Sequence, residues 1–391
     1  MRLAQRVTEL APSATLEVTA QAARLKADGV DVISFGAGEP DFDTPAHIKR
    51  ACIAAIEGGQ TKYSKPASGS AESKRAVCAK LARENGLEYG PEQVVVTSGG
   101  KMAFYLAAHA LLDPGDEVII PVPYWVSYPE IVKLAGGVPV FVTGSAANDF
   151  RLTPDVLSSA LTARTRMFII NSPSNPSGVT YSPDELKALG DALRGRDLVA
   201  VSDEIYDQLV YDGQTAMSFA AVSDEVYAKT VTINSASKTY AMTGWRLGYA
   251  AGPRDLIAAM CKLQSQSTSG AVTFNQPALA EALSASQACV AEMRIEFARR
   301  GKHMWERLSA ISGVTCPKPT GAFFCFPNMS RLYTRLGVGG SVEFARRMLE
   351  EVHVAVVPGV AFGMDAHTRF SFATSIEQID AGLDRIERWI G

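Results

Sequence analysis

The sequence predicts an α/β fold in which a large domain, built on a mostly parallel seven-stranded sheet, is joined to a smaller α+β domain. Between about residues 93 and 265, short β-branched runs alternate with amphipathic helical stretches. This alternation is typical of a parallel sheet covered by helices on both faces. After about residue 290 it stops, and a charged helix leads to short strands and a final helix, as in a smaller α+β unit.

The strands of the large domain are short and mostly apolar throughout, which indicates burial on both faces. We predict seven strands, at residues 94–97, 117–121, 139–142, 167–171, 198–202, 230–233 and 247–251. Apolar residues at helical spacing predict connecting helices at 102–112 and 183–193, and Ser182 is a suitable N-cap for the second.

The change of pattern after residue 290 divides the chain. In the C-terminal part we predict a helix at 292–308 and strands at 321–326, 354–357 and 369–372. The predicted units are an N-terminal arm of residues 1–12, a small domain of residues 13–47 plus 291–391, and a large domain of residues 48–290. The arm is too short to fold alone, and we expect it to pack on a neighbour.

Composition argues against several classes of partner. The 391 residues include 38 basic and 41 acidic side chains, for a formal net charge of -3, and no basic stripe indicates nucleic-acid binding. No stretch of about 18 apolar residues predicts a membrane span, and the first residues lack the apolar run of a signal peptide. We therefore expect a cytoplasmic protein without nucleic-acid or membrane partners.

Metal and serine-triad chemistry lack their motifs. The six cysteines include no Cys-x-x-Cys pair, and the five histidines include no His-Glu-x-x-His spacing. No Gly-x-Ser-x-Gly turn marks a serine nucleophile. We predict no metal site.

The residues that carry chemistry follow the carboxyl ends of the predicted strands, where ligands of open parallel sheets bind. Residues 98–101, Ser-Gly-Gly-Lys, lie between strand 94–97 and a helix, so their free amides suit a phosphate. By itself this turn is equally consistent with close packing. It is not a Walker loop, because Met102 follows the lysine.

Six further side chains follow the other strand ends: a planar aromatic ring, an amide, a carboxylate, a phenol, an amine and a guanidinium. They are Trp125, Asn175, Asp203, Tyr206, Lys238 and Arg246. A stacking face suits a flat ring, a buried carboxylate suits a protonated ring nitrogen, a lysine amine suits an aldehyde, and arginine suits a phosphate. Pyridoxal 5′-phosphate has all four parts, so we predict it as the cofactor.

The chain also resembles a known family, the fold-type I pyridoxal-phosphate aminotransferases of class I, and within it the bacterial aspartate aminotransferases of subgroup Iβ. The similarity covers nearly the whole length. The motifs that carry it lie, in order, at residues 12–15, 38–45, 62–63, 99–101, 123–125, 175–178, 202–206, 235–238 and 242–246. The resemblance implies the transferase fold of that family and a role in amino-acid metabolism.

The resemblance implies a cofactor role for each matching residue. Lys238 corresponds to the lysine that bonds to the cofactor aldehyde and moves the proton at the substrate Cα, with Asp203 and Tyr206 as further catalytic residues. The residues that match the family's contacts to the cofactor ring are Trp125, Asn175, Asp203 and Tyr206. Those that match its contacts to the phosphate are Gly99, Gly100, Lys101, Ser235, Ser237 and Arg246. Tyr63 resembles a tyrosine that reaches the phosphate of the neighbouring subunit, which implies a homodimer with shared active sites.

A substrate pocket is implied in the same way. The residues matching the α-carboxylate site are Arg369, Gly38, Trp125 and Asn175, and those matching the distal-carboxylate site are Lys101, Ser13 and Thr15. A planar guanidinium suits a two-pronged carboxylate contact. A lysine in the first turn of a helix is unfavourable beside the positive helix end unless an anion binds there, which favours a dicarboxylate substrate.

The expected reaction is ping-pong transfer of an amino group from L-aspartate to 2-oxoglutarate, giving oxaloacetate and L-glutamate. Aromatic, alanine-like or prephenate/arogenate substrates are the alternatives. Some relatives that accept prephenate carry a basic residue where this chain has Ala11, which argues against prephenate. A cofactor-binding regulator would need a helix-turn-helix, and a nucleotide-binding oxidoreductase would need Gly-x-Gly-x-x-Gly after a strand; we find neither.

Overall fold

The computed structural model describes residues 1–11 and 14–391, without the side chains of residues 14–16. Its strands are β1 Ile33–Ser34, β2 Val94–Thr97, β3 Glu117–Val122, β4 Val138–Thr143, β5 Thr165–Asn171, β6 Val199–Asp203, β7 Thr230–Ser235, β8 Gly248–Ala251, β9 Phe324–Cys325, β10 Val354–Ala355, β11 Val357–Pro358 and β12 Thr368–Ser371. The α-helices are α1 Gln5–Thr8, α2 Ala14–Ala27, α3 Ala46–Glu57, α4 Ala71–Asn85, α5 Gly100–Leu111, α6 Ser127–Leu134, α7 Pro154–Ala160, α8 Pro183–Ala192, α9 Asp224–Tyr227, α10 Ala236–Thr239, α11 Arg254–Ser267, α12 Gln276–Ser284, α13 Ala288–Ala310, α14 Ser330–Leu336, α15 Ser341–Val352 and α16 Ile376–Ile390.

Within the described part of the chain, seven strands form the large sheet, in the order β2-β8-β7-β6-β5-β3-β4. All neighbouring strands pair in parallel except β8, which is antiparallel to both β2 and β7. Each strand lies where the sequence predicted one, with its ends shifted by two residues at most. The prediction of a mostly parallel seven-stranded sheet is confirmed.

Both faces of the large sheet are buried, which explains why its strands are apolar throughout. In β2, Val94 and Val96 face an apolar cluster that includes residues of α4 and α12, whereas Val95 faces a cluster with residues of α5 and α11. The alternation follows from the two-residue period of a strand. The predicted cap of α8 is also present, since Ser182 Oγ accepts a hydrogen bond from Glu185 N at 3.3 Å.

The remaining strands form two short sheets. β1 pairs in parallel with β10, and β11, β12 and β9 form an antiparallel sheet in that order. Helices α13, α15 and α16 contribute Phe297, Met348 and Leu383 to the apolar cluster beside them. The prediction of one strand at 354–357 is wrong, because the chain changes partner at Val356: β10 pairs with β1, whereas β11 pairs with β12.

The predicted domain boundaries fall inside helices α3 and α13, and the division into domains stays a prediction. Pairing of β1 with β10 joins the N-terminal segment to the C-terminal part of the chain. In the arm, Ala11 N donates to Glu130 Oε2 at 3.0 Å. Across residues 1–11 and 14–391, no helix combines the length and the apolar character needed to cross a membrane.

Candidate active site

A cavity of about 380 Å³ lies at the carboxyl end of the large sheet. It is the place where the loops after β2, β3, β5, β6 and β7 converge, and β12 adds a residue from the other side. The predicted site residues that line it are Gly38, Gly100, Lys101, Trp125, Asn175, Asp203, Tyr206, Ser237, Lys238, Arg246 and Arg369. The fold therefore brings together residues that are far apart in the sequence.

The antiparallel strand β8 explains how Arg246 reaches this edge. Gly248, the first residue of β8, pairs with Thr97 on one side and with Ser235 on the other. The amino end of β8 consequently lies beside the carboxyl ends of β2 and β7, and Arg246 precedes it by two residues. Arg246 has a φ of 54°, a left-handed conformation that costs energy for a residue with a Cβ, and its Nη1 donates to Thr243 O at 2.9 Å.

The turn between β2 and α5 requires glycine. Gly99 has a φ of +89°, and a Cβ built there would lie 2.5 Å from Arg246 Nη2. A Cβ on Gly248 would lie 2.4 Å from Gly100 N, so both glycines permit close approach. The amides of Gly100 and Lys101 begin α5, where backbone N–H groups lack acceptors within the helix. Together with the Arg246 guanidinium they form a site suited to phosphate.

Lys238 lies in α10, directly after β7, and its Nζ donates to the carbonyl oxygen of Gly38. Burial lowers the pKa of Lys238 to about 8, and the guanidinium groups of Arg369 and Arg246 act in the same direction. The carboxylates of Glu39 and Asp203 oppose this shift. About a tenth of this amine is consequently uncharged, and so nucleophilic, at pH 7, far more than for an ordinary lysine.

This shift predicts the pH dependence of Lys238 acetylation in the cofactor-free protein. Because burial disfavours the ammonium form, the reaction with acetic anhydride should rise with pH and reach its half-maximum near pH 8, well below the value of about 10.4 that is ordinary for lysine. Mass spectrometry of peptides labelled between pH 6 and 11 measures it. Lys262, exposed on α11, is the internal reference, and identical curves for the two lysines would contradict the prediction.

The carboxylate of Asp203 ends β6 and is held by neutral donors. Its Oδ2 accepts from Tyr128 Oη at 2.5 Å, and its Oδ1 accepts from Ile205 N at 3.3 Å. Asn171 Nδ2 donates to the backbone oxygen of Asp203 at 2.9 Å. Burial raises the pKa of Asp203, while the Tyr128 hydroxyl and the Ile205 amide lower it. The carboxylate is thereby oriented without being neutralised by a paired cation.

Two aromatic side chains beside the cavity are fixed by ring contacts. The ring of Tyr206 packs edge-on against Phe323 and Phe324, with centroid distances of 5.4 and 5.9 Å, and burial raises its pKa. Trp125 packs edge-on against Tyr128 at 5.2 Å. Such contacts restrict ring orientation, so both side chains are preorganised.

Arg369 of β12 is 2% exposed and has no carboxylate partner in the described structure. Its Nη1 donates to Asn175 Oδ1 and its Nη2 to Gly36 O, both at 3.0 Å. The guanidinium lies 4.4 Å from the ring centroid of Phe324, and its Nε is buried without a hydrogen-bond partner. Burial lowers the pKa of Arg369 to about 10. A buried cation bonded only to neutral groups is suited to bind an anion.

The cavity as a whole carries an excess of positive charge. Lys238, Arg246 and Arg369 donate to neutral oxygen atoms, and Lys101 Nζ lies 5.0 Å from the Trp125 ring centroid. Partial burial lowers the pKa of Lys101, and the charge of Arg246 lowers it further. The acidic groups nearby are those already named, Asp203 and Glu39. This balance favours a ligand with more than one anionic group.

Comparison with known proteins identifies the family. Residues 30–386 match the family described as aminotransferase class I and II. The aspartate aminotransferase of Geobacillus stearothermophilus is 49% identical over 390 residues, covering 100% of this chain and 99% of that protein. The chain belongs to the class I and II aminotransferases.

Two further similarities extend over the full length of this aminotransferase. The aspartate/prephenate aminotransferase of Nitrosomonas europaea is 45% identical over 393 residues, 99% of each chain. The structure of the aspartate aminotransferase from Thermus thermophilus with maleate superposes with a TM-score of 0.94 at 43% identity, covering 99% of this chain and 100% of that one. The predicted family and the predicted fold class are confirmed.

Several predicted site residues of this aminotransferase do not line the cavity. Ser235 is buried and caps α10, with its Oγ accepting from Ser237 N at 3.2 Å. Gly99 lies in the turn between β2 and α5, where its lack of a side chain leaves room for Arg246. Tyr63 is 80% exposed and lies in a separate open groove formed by residues 61–64 and 268–274. Ser13 and the side chain of Thr15 lie outside the described residues.

Several residues in or beside the site were not predicted from the sequence, among them Tyr128, Asn171, Glu39 and Thr243. Tyr128 could have been found, because it follows Trp125 by three residues and a turn brings the two together, with Tyr128 N donating to Trp125 O at 3.0 Å. Asn171 Oδ1 accepts from Asn175 N at 2.9 Å, a pairing with no sequence signal. Glu39 Oε2 accepts from Thr243 Oγ1 at 2.6 Å, and that contact depends on how distant segments pack.

Proposed function

We propose that this aminotransferase is a pyridoxal-phosphate-dependent aspartate aminotransferase, which passes the amino group of L-aspartate to 2-oxoglutarate and forms oxaloacetate and L-glutamate in a ping-pong cycle. The observation that carries the proposal is the group of four cations, Lys101, Lys238, Arg246 and Arg369, around one cavity with few acidic groups. A phosphate and a dicarboxylate together supply the anions that this set lacks. The named relatives, and the dicarboxylate maleate in the Thermus structure, support the same choice.

The residues present fit pyridoxal 5′-phosphate. The free amides at the start of α5 and the Arg246 guanidinium suit its phosphate, and Gly99 leaves the space that a Cβ would fill. The buried carboxylate of Asp203 suits its ring nitrogen, and the Trp125 ring suits its flat face. When bound, the cofactor supplies an electron-withdrawing ring that stabilises negative charge at the substrate Cα.

The chain itself binds, orients and moves protons. Arg369 holds the substrate α-carboxylate through two parallel N–H groups, and Asn175 Oδ1 orients that guanidinium. With the carboxylate fixed, the substrate Cα is presented to Lys238 Nζ. This amine is uncharged above its lowered pKa, so it can accept the Cα proton of L-aspartate in the first half-reaction and, in protonated form, donate a proton to the Cα derived from 2-oxoglutarate in the second. Asp203 holds the proton at the ring nitrogen.

We further propose a homodimer with shared active sites. Tyr63 lies outside the cavity of its own chain and is 80% exposed, as expected for a side chain that completes a neighbouring site. Ile53 and Ile56 on α3 and Val272 in the same groove as Tyr63 are exposed too. Helix α3 packs against residues 273–275, which belong in part to the groove. Exposed apolar side chains on neighbouring segments are typical of an interaction surface, and they support this face as the dimer contact.

A panel of amino donors tests the proposed function. Purified protein loaded with pyridoxal 5′-phosphate is assayed for kcat/KM with L-aspartate, L-phenylalanine or L-alanine as donor and 2-oxoglutarate as acceptor. A further assay uses L-glutamate as donor and prephenate as acceptor. L-Aspartate is expected to be the best donor. A higher kcat/KM with L-phenylalanine, or with prephenate as acceptor, would overturn the assignment of substrate but not that of reaction class.

The selection of a dicarboxylate is expected to depend on Lys101. Replacing it by methionine (Lys101→Met) keeps the length of the side chain and its contact with Trp125 but removes the charge. We expect kcat/KM for L-aspartate to fall about tenfold to a hundredfold, the value of one charge-assisted contact, while kcat/KM for L-phenylalanine changes little. Lys262→Met on the exposed face of α11 is the matched control. Equal losses with both donors would show that Lys101 does not select the distal carboxylate.

A further inference from the structure

The turn that carries Asp203 and Tyr206, residues 203–207, has a second face. Asp203 and Tyr206 line the cavity, whereas Glu204 and Asp207 are buried in a polar network away from it. We propose that this network positions the turn, so that Glu204 and Asp207 act as positioning residues for Asp203 and Tyr206; the inference rests on the proposed function.

Glu204 forms one half of the network and is 2% exposed. Its Oε1 accepts from Ser202 Oγ at 2.7 Å, from Ser218 Oγ at 2.7 Å and from Phe219 N at 3.1 Å. Its Oε2 accepts from Asn85 Nδ2 at 3.2 Å. Burial raises the pKa of Glu204 to about 7, against the lowering effect of the two serine hydroxyls. Four donors on one carboxylate fix its position from several directions.

Lys80 of α4 forms the other half. Its side chain is 3% exposed and pairs with Asp207, which is 4% exposed. Lys80 Nζ also donates to Asn85 Oδ1 at 2.7 Å and lies 3.6 Å from Glu84 Oε2. Burial lowers the pKa of Lys80, but the neighbouring carboxylates of Asp207 and Glu84 raise it by more. The pKa of Lys80 is therefore raised above its ordinary value. Asn85 thus joins the two halves, since its amide contacts both Lys80 and Glu204.

The turn needs such an anchor because it lies beyond the end of β6. Its backbone retains a bond from Glu204 N to Ile233 O at 2.9 Å and an internal bond from Asp207 N to Glu204 O at 3.0 Å. These bonds hold Glu204 to β7 and close the turn on itself, but they do not connect Asp207 to the rest of the fold. The ion pair to α4 connects the last residue to a helix that packs on the sheet, and so fixes the other end.

Stability alone is a weak explanation for this network. A buried ion pair gains little net free energy, because desolvation of both charges offsets their attraction. The network is also not fully satisfied within the described residues: Asp207 Oδ1 and Glu84 Oε2 are buried without a hydrogen-bond partner. Incomplete satisfaction of buried polar atoms is costly. The hydrogen bonds of the network are directional and lie immediately behind Asp203 and Tyr206. This arrangement favours a positioning role.

The test uses isosteric variants and measurements other than turnover. Asp207→Asn and Glu204→Gln each remove a charge at nearly constant volume, and Ser218→Ala, the mildest change, serves if neither of those folds. Each protein is titrated with pyridoxal 5′-phosphate to obtain Kd, and the absorbance of the loaded form is followed against pH. We expect Kd to rise about tenfold and the midpoint of the absorbance titration to shift. Glu117→Gln is the matched control. Glu117 is a buried carboxylate at the amino end of β3, the end away from the cavity, and it is bonded to Thr162 and Arg164.

A purely structural role would give a different result. Variants of the network would then lower the melting temperature as Glu117→Gln does and leave both Kd and the absorbance midpoint unchanged, which would overturn the inference. A double-mutant cycle sharpens the comparison: Asp207→Asn should raise Kd less in an Asp203→Asn background, since part of its effect passes through Asp203 and the rest through Tyr206. Full additivity would also contradict it. If the wild-type protein itself fails to bind the cofactor, the proposed function fails instead.

Discussion

Replacing Lys238 by alanine (Lys238→Ala) is expected to lower kcat for L-aspartate by about 10⁴-fold or more, an increase of about 5 kcal/mol in the activation free energy. Among the residues that the structure describes, no other amine is placed to substitute for it. Lys101 Nζ lies over the Trp125 ring, and the two arginines of the cavity stay protonated and cannot act as bases. Single-turnover kinetics with L-aspartate measure the loss of the proton-transfer step.

The variant should still fold and still bind the cofactor. Lys238 makes one hydrogen bond, to Gly38 O, so its removal leaves no buried carboxylate unpaired. Reduction with sodium borohydride is expected to attach the cofactor to the peptide that contains Lys238 in the wild-type protein, and not in Lys238→Ala. Lys262→Ala, at an exposed position of α11, controls for the loss of a lysine. Activity in Lys238→Ala near the wild-type level would exclude the proposed mechanism.

The large sheet could be predicted because its physical cause is local. A strand buried on both faces must be apolar throughout, and most of the seven runs are bounded by Gly, Pro, Asn, Asp or Ser. The location of the site follows from the same reasoning, since the residues after β2, β5, β6 and β7 meet at one edge. Arg246 was predicted from its position after a strand end and from the match of a guanidinium to a phosphate. Its route to that edge, by way of the antiparallel β8, depends on strand order and could not be read from a periodic pattern.

The features that could not be predicted arise from packing between distant segments. Lys80 lies in a helix with charged neighbours, a pattern that indicates a solvated face, yet it is 2% exposed because Asp207 meets it there. The Tyr128 contact with Asp203 joins residues 75 positions apart. The two-residue strands β10 and β11 are defined by their partners and not by their own sequence. Sequence periodicity reports burial of a face, but it does not report which polar groups meet inside.

Replacing Asp203 by asparagine (Asp203→Asn) is expected to lower kcat about 10²-fold to 10³-fold with a smaller effect on KM. The substitution preserves shape, and the Tyr128 hydroxyl can still donate to the amide oxygen. On the proposed mechanism it removes the negative charge that would hold a proton on the ring nitrogen, so the cofactor would withdraw electrons from the substrate Cα less effectively. Substrate binding is expected to change less, because on the same proposal it depends on Arg369 and Lys101. Nitrogen-15 NMR of the bound cofactor measures the protonation of the ring nitrogen directly.

Tyr128→Phe separates the charge of Asp203 from its orientation. The Tyr128 hydroxyl lowers the pKa of Asp203 against the raising effect of burial, so its removal should raise that pKa further. A carboxylate must be ionised to hold the ring proton, and activity is therefore lost as pH falls through its pKa. We expect Tyr128→Phe to move this acidic limb to higher pH and to cost less activity at alkaline pH than Asp203→Asn does. An unchanged acidic limb in Tyr128→Phe, or a kcat for Asp203→Asn equal to that of the wild type, would show that the reaction does not depend on this carboxylate.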